Sequence, residues 1–332
     1  MKHFTTVYDL ANPMQMVKDA IELKNSQQDL SYLGKGKTLG LIFLNPSLRT
    51  RLSTQKAARM LGMDVMVMNM DKDSWAIEWN DGMVMNGSTV EHIKDAAAVL
   101  GSYCDILGIR CFPTLSNLTM DYGEKMLVQF MKYCKVPVIS LESATLHPLQ
   151  SLADAITIHE NKKYNYRPKV VLTWAPHIKP LPQAVPNSFA EWMTKINVDL
   201  TITHPYGYEL CEDYTKGADI EHDQEKALKD ADFVYVKNWS SFKDYGKMPE
   251  VKHNWMMDLK KYKLTNNAKI MHCLPVRRDL ELSSDLIDHP NSLIQQQAIN
   301  RLYSAQVVLK GILESLPKNR TTHTENLSLE EA

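Results

Sequence analysis

TLGLIFLNPSLRTRLSTQKAARML, residues Thr38–Leu61, is the stretch on which the fold turns. Its opening apolar run, Thr38–Leu44, is too short for an ordinary helix and suits a fully buried strand. Asn45-Pro46-Ser47 breaks that run, and Thr50–Leu61 continues as a helical segment. Strand, turn and helix in this order make one half of a parallel α/β unit. The pattern recurs outward along the chain. Further strands are expected at Asp64–Asn69, Cys104–Ile109 and Pro137–Leu141, then at Lys169–Thr173, Asp199–Thr203, Asp232–Val236 and Lys269–His272. Helical stretches such as Glu91–Leu100 and Leu149–Glu160 separate them. The spacing predicts two α/β halves that meet near the helix beginning after His147. A last helical stretch, Ala298–Leu316, follows the second set of strands and is expected to cross back and brace the first half.

The chain has 332 residues, a length that fits two domains of about 150–200 residues. Hydrophobic residues make up 44% and charged residues 23%, the balance of a globular rather than a disordered protein. Lys plus Arg number 38 against 39 Asp plus Glu, which leaves no basic surplus for general nucleic-acid binding. The sequence holds no apolar run of bilayer-spanning length, and the start, MKHFTTVYDL, has no signal-peptide apolar core. The five cysteines, Cys104, Cys111, Cys134, Cys211 and Cys273, include no CxxC pair and read as reduced cytoplasmic thiols. No HExxH or carboxylate cluster at ligand spacing appears, so neither a metal nor an organic cofactor is expected in the reaction.

Two phosphate-binding lookalikes fail. LGKGKT at Leu33–Thr38 lacks the first glycine of GxxxxGK[ST], where Ser31 stands, and it precedes a strand. No GxGxxG follows an expected strand, so there is no dinucleotide fingerprint.

In open parallel sheets ligands bind beyond the carboxyl ends of strands. Those ends carry Ser47-Leu48-Arg49-Thr50-Arg51, then Arg110, then Glu142 leading to His147-Pro148-Leu149-Gln150. The second half adds Trp174-Ala175-Pro176-His177, Lys237 and Cys273-Leu274-Pro275. A helix start that presents free N–H groups beside hydroxyls and guanidinium groups is an anion site suited to phosphate. The competing reading makes Ser47 a helix N-cap and the arginines solvated. On this motif alone the two stand level, and convergence of Arg110 and Arg301 on the same pocket would decide. His147, just ahead of Pro148 at a first helical position, is either a capping residue or a donor to a carbonyl oxygen gaining charge. Cys273 has no acid–histidine arrangement that marks a thiol nucleophile and is expected to be a buried structural thiol.

Together, Ser47-x-Arg49-Thr50-Arg51, His147-Pro148-x-Gln150 and His272-Cys273-Leu274-Pro275 resemble the signature set of the aspartate/ornithine carbamoyltransferase family. Their order and approximate spacing match from residue 38 to about 315. The resemblance implies two doubly wound parallel-sheet domains with an active-site cleft between them. Residues 1–147, with helix 298–316 packed back on them, would bind carbamoyl phosphate. Residues 148–297 would bind the amine substrate, and 317–332 would form a flexible tail. It also implies a homotrimer with active sites shared between subunits.

By the same resemblance, Ser47, Leu48, Arg49 and Thr50 hold the phosphate, with Arg110 and Arg301. Thr50, Arg110 and His147 polarise the carbamoyl oxygen, and Gln150 lies near the carbamoyl amide. Cys273 and the Leu274 carbonyl orient the attacking amine. Trp75 reaches into the neighbouring subunit's site.

One departure selects a branch. The Asp-x-x-x-Ser-Met-Gly segment with which ordinary ornithine enzymes grip the free amino-acid end is missing. Trp174-Ala175-Pro176-His177-Ile178-Lys179-Pro180-Leu181-Pro182 stands instead, similar to the loop of carbamoyltransferases acting on N-acylated ornithine. Those relatives have a knotted second domain, against the usual rule. In acetyl-preferring relatives an acidic residue occupies the position of Val90. A neutral residue there removes a like-charge clash with a succinyl carboxylate. Glu142, His177, Lys237, Arg277 and Val90 are the expected acceptor contacts, with Arg278 an alternative to Arg277. The expected reaction carbamoylates the δ-amine of N-succinyl-L-ornithine. N-acetyl-L-ornithine is the second acceptor, and a non-catalytic anion-binding paralogue is the rival from another class.

Overall fold

A computed structural model of the chain describes residues 1–26, 28–163 and 165–317. The expected tail therefore lies, beyond Pro317, outside the described residues. The strands in chain order are β1 (Thr38–Phe43), β2 (Asp64–Asn69), β3 (Ile77–Glu78), β4 (Glu91–His92), β5 (Ile106–Arg110) and β6 (Val138–Glu142). They continue with β7 (Lys169–Trp174), β8 (Asp199–Thr203), β9 (Asp219–Glu221), β10 (Phe233–Lys237) and β11 (Lys269–Met271). Two sheets dominate, ordered β2-β1-β5-β6 and β11-β10-β7-β8-β9, and every pairing within them is parallel. The strands β5, β6 and β10 are buried at every position, as expected when helices cover both faces of a sheet.

All eight expected strands are present, two of them with the expected bounds and the rest with ends shifted by at most two residues. Two differences are informative. The second sheet has a fifth strand, β9, whose Asp-Ile-Glu sequence is short, polar and at an edge, so it offers no apolar run. Glu91–His92, expected to open a helix, instead pairs with Ile77–Glu78, and the helix begins at Ile93 with the His92 side chain accepting from the Lys94 N–H.

Local chemistry explains where the first-domain helix stops. Arg49–Met60 ends in a Schellman turn: the Gly62 N–H donates to Arg59 O and the Met63 N–H to Ala58 O, both at 3.0 Å. Gly62 has φ +76°, and a Cβ there would lie 1.8 Å from Ser31 O, so only glycine fits.

The strand orders fix where a ligand can sit. In the first sheet the chain winds one way from β1 to β2 and the other way through β5 and β6. In the second it runs from β7 through β8 to β9, then returns to β10 and β11. The switch points thus fall between β1 and β5 and between β7 and β10, where open parallel sheets make their crevices. The helix Ile294–Ser315 packs against Arg49–Met60, Pro148–Asn161 and Pro13–Asn25. Among the described residues no helix is long and apolar enough to cross a membrane.

Candidate active site

The carboxyl ends of the four switch-point strands open into one cleft of about 740 Å³. Ser47, Leu48, Arg49, Thr50, Arg110, Glu142, His147, Gln150 and Arg301 line it from one side. His177, Lys237, Cys273, Leu274 and Arg277 line it from the other. Fourteen of the sixteen residues expected from the sequence therefore meet in a single hollow.

Trp75 and Val90 do not. They stand on the exposed segment around β3 and β4, 55% and 64% exposed, with the Trp75 indole N–H donating to Glu91 Oε2 at 2.7 Å. Of the adjacent arginines, Arg277 lines the cleft, whereas Arg278 forms a two-pronged ion pair with Asp288 at 2.7 and 2.8 Å.

The helix start after β1 is open. Leu48, not Ser47, is the N-cap residue, and no side chain caps it, so the first-turn N–H groups remain available to an anion. The Ser47 N-cap reading is thereby corrected. Three guanidinium groups gather beside this start. Arg301 donates to Thr50 Oγ1 at 2.5 Å and to Gln150 Oε1 at 2.9 Å, while Arg110 pairs with Glu142 at 2.5 Å. Burial lowers the Arg301 pKa to about 10, with Arg110 and Arg49 adding repulsion against the pull of Glu142. Arg49 is lowered in the same way, first by burial. Both still carry charge near neutral pH. Glu142 is the carboxylate among these cleft-lining side chains, so the site holds more positive than negative charge. The Nε atoms of Arg49 and Arg110 are buried without a partner, an expensive state that an anionic ligand would relieve.

His147 is the N-cap residue of Pro148–Asn161 but makes no capping bond. Its imidazole is 3% exposed, with Nε2 3.4 Å from Glu142 and Nδ1 unpartnered. Burial, together with Arg301 and Arg110, drives its pKa well below the usual histidine range. A neutral imidazole keeps one N–H donor, which suits it to polarising a carbonyl rather than to supplying a cation.

A carboxylate that the sequence reading did not single out holds the approach to His147. Glu124, in the left-handed region at φ 48°, accepts from Ser143 Oγ (2.5 Å), Thr145 Oγ1 (2.5 Å), Thr145 N (2.8 Å) and Ala144 N (3.3 Å). These are the residues that lead into His147. Arg301 is likewise held by a polar seam between two buried helices. Asp154 Oδ1 accepts from Gln150 Nε2 (2.8 Å) and Gln297 Nε2 (2.7 Å), Asn300 donates to Thr157 (2.9 Å), and Ser304 donates to Leu149 O (2.6 Å).

On the opposite wall the Leu274 backbone bends at φ 58°, and its N–H donates to His272 Nδ1 at 2.9 Å. The Cys273 thiol is raised above its ordinary pKa chiefly by burial, so it is a protonated, unreactive lining group. His177 accepts at Nε2 from Arg277 Nε (3.1 Å) and donates from Nδ1 to Lys179 O (2.8 Å), which ties the proline-rich loop to the far rim. That loop is also sewn to the end of β10: Ser240 donates to Leu181 O from both N and Oγ, and Asn238 donates to Ala175 O.

The first part of the chain, residues 2–160, matches the family model described as aspartate/ornithine carbamoyltransferase, carbamoyl-P binding domain. Residues 182–312 match the Asp/Orn binding domain of the same family. The chain belongs to the aspartate/ornithine carbamoyltransferase family. Among its relatives is an N-succinylornithine carbamoyltransferase of Bacteroides fragilis, 48% identical over 319 residues, 96% of this chain and 100% of that one. An N-acetylornithine carbamoyltransferase of Xanthomonas campestris is 35% identical over 342 residues, covering 94% of this chain and 98% of its own. Solved carbamoyltransferase structures agree with the fold. One is a glutamate-to-alanine variant of N-acetyl-L-ornithine transcarbamylase complexed with carbamyl phosphate and N-succinyl-L-norvaline. It is 34% identical with a TM-score of 0.87, covering 94% of this chain and 100% of its own. Another is acetylornithine transcarbamylase complexed with acetylcitrulline, at 33% identity and TM-score 0.86, covering 94% of this chain and 99% of its own.

Proposed function

We propose that this carbamoyltransferase moves the carbamoyl group of carbamoyl phosphate to the δ-amine of N-succinyl-L-ornithine, giving N-succinyl-L-citrulline and phosphate. The observation that carries the proposal is the meeting of Arg49, Arg110 and Arg301 with an uncapped helix start in one cleft. A phosphate dianion fits that concentration of charge and backbone donors. His147, Arg110 and Thr50 then surround the carbamoyl oxygen. The neutral amine attacks the carbonyl carbon to form a tetrahedral oxyanion, which these donors stabilise. Collapse breaks the bond to phosphate, and the departing phosphate takes the proton released by the amine. Catalysis is placement plus fixed-charge stabilisation.

Charge on the acceptor side supports succinyl. Lys237 and Arg277 face the cleft opposite the phosphate end, one cation for each of the two carboxylates of N-succinylornithine. N-acetylornithine carries one carboxylate. The higher identity to a relative named for the succinyl substrate points the same way. So does the loss of a glutamate in the N-acetyl-L-ornithine transcarbamylase variant complexed with N-succinyl-L-norvaline. Trp75 and the neutral Val90, on an exposed arm of the chain, suit a homotrimer in which each arm enters a neighbour's cleft. The proline-rich loop, bound along the end of β10, suits the knotted chain path.

The test is an assay of carbamoyl phosphate with ornithine, N-acetylornithine and N-succinylornithine side by side. Succinylcitrulline should dominate, and Val90→Glu should shift preference toward the acetyl substrate. Acetylcitrulline as the main product would replace the acceptor assignment. Carbamoyl phosphate binding with no citrulline-type product would mark an anion-binding paralogue.

A further inference from the structure

Away from the cleft, the carboxyl ends of β8 and β9 bring together a set of donors that carbamoyl transfer does not use. His204 follows β8 directly, His222 follows β9 directly, and Glu209 lies on the connection between them. One ligand-capable atom from each lies within 4.8 Å of the other two. His204 is buried, and the other two are half-buried.

The hydrogen bonds of these histidines settle which nitrogen is free. His204 Nδ1 lies 2.9 Å from Pro205 O, and His222 Nδ1 lies 3.1 Å from His204 O. A carbonyl oxygen can only accept, so both rings carry their proton on Nδ1 and keep an unprotonated Nε2. Among the described residues neither Nε2 makes a hydrogen bond. A backbone carbonyl on Nδ1 that leaves Nε2 as the lone-pair donor is the supporting arrangement typical of metal-bound imidazoles. Glu209 uses Oε1 to accept from the Gly207 N–H at 3.1 Å, which leaves its other oxygen uncommitted. The two rings stand at 84° with centroids 4.9 Å apart, and the exposed Tyr206 stacks on His222 at 4.0 Å. His204 and Glu209 also line a cavity of about 450 Å³, which gives an ion a route in.

We infer that His204, Glu209 and His222 form a binding site for a divalent transition metal, with zinc as the preferred ion. Two imidazoles and one carboxylate supply three ligands of a tetrahedron and leave the fourth position to water. With metal–ligand bonds of about 2 Å, the ligand atoms must draw in to roughly 3.3 Å from one another. The half-buried side chains of Glu209 and His222 can make that movement while His204 stays fixed. The bound ion would clamp the connection after β8 to the short edge strand β9.

The test uses the full chain, stripped with a chelator and dialysed, and titrated calorimetrically with zinc chloride alone. Expected are one ion per chain, a dissociation constant in the micromolar range or tighter, and a higher thermal midpoint with zinc. Cobalt(II) in place of zinc should give the visible absorption of a tetrahedral site. His222→Gln and Glu209→Gln should each weaken binding at least tenfold while leaving circular dichroism and carbamoyl transfer as in the parent. Failure of the parent chain to bind, or binding equally tight in both variants, would overturn the assignment.

Discussion

At the scale of single residues, chemistry in the cleft depends on groups held in costly states. Arg49 and Arg110 bury unpartnered Nε atoms, and His147 is kept neutral in a nearly dry position. The arginines grip the donor's phosphate, and His147 contributes most when charge develops on the carbamoyl oxygen. Arg49→Ala and His147→Ala are therefore expected to lower turnover by about 100-fold or more, with unchanged circular dichroism. Steady-state kinetics on both variants checks this, and near-parental turnover would remove these roles. Arg49, Arg110 and Lys237 were legible because each lies at or shortly after a strand end, where chain position predicts location, whereas Arg301, inside the last helix, was named only through the family resemblance. Glu124 was not. Nothing in Asp121-Tyr122-Gly123-Glu124 marks one carboxylate as the anchor of a loop some twenty residues later, because its partners are distant in sequence.

At the scale of elements, the helix Pro148–Asn161 is buried along its first eleven residues, Pro148–Ile158. It therefore has to satisfy its own polar side chains internally, and Asp154 is where this costs most. Burial raises the Asp154 pKa from 3.8 to about 7, against the lowering effect of bonds from Gln150 and Gln297. The direction of the linkage follows. Between about pH 4 and pH 7 the folded chain keeps a proton that the unfolded chain has released. Stability from this group therefore falls as pH rises through that window. Asp154→Asn should flatten the fall of thermal midpoint with pH, measured by calorimetry from pH 5 to 8. An unchanged slope would mean that Asp154 does not titrate there. Helix existence was readable from sequence, but the seam joining Asp154, Gln297 and Asn300 was not. Periodicity marks which face is apolar, not which buried polar groups find each other across 140 residues. The edge strand β9 was missed for a related reason: three residues with no apolar run carry no strand pattern.

At the scale of the whole molecule, the two halves of the chain are tied by side-chain hydrogen bonds outside the cleft lining. Asp121 accepts from the Tyr245 hydroxyl at 2.9 Å, and the Tyr122 hydroxyl donates to Gln183. Within one chain the cleft lacks Trp75 and Val90, and a shared-site trimer would supply both. Trp75→Ala and Arg49→Ala chains should each be nearly inactive alone. Co-refolded one to one, random trimers would regain about a quarter of parental activity, since three in four are mixed and each mixed trimer has one intact site. Activity assays on the co-refolded mixture decide this, and no regain would mean that each cleft is complete in its own chain. An acceptor amine with a pKa near 10.4, the value for lysine's amine, also means that turnover should climb as pH rises above neutrality.

Arg301 reaches the phosphate corner from the helix Ile294–Ser315, the last element among the described residues. A ribosome emitting this protein thus releases the whole first sheet, and the helix that would greet the donor, long before the third guanidinium arrives. A fragment that stops upstream of residue 301 would keep Arg49 and Arg110 but lose the guanidinium that holds Thr50 and Gln150 in place.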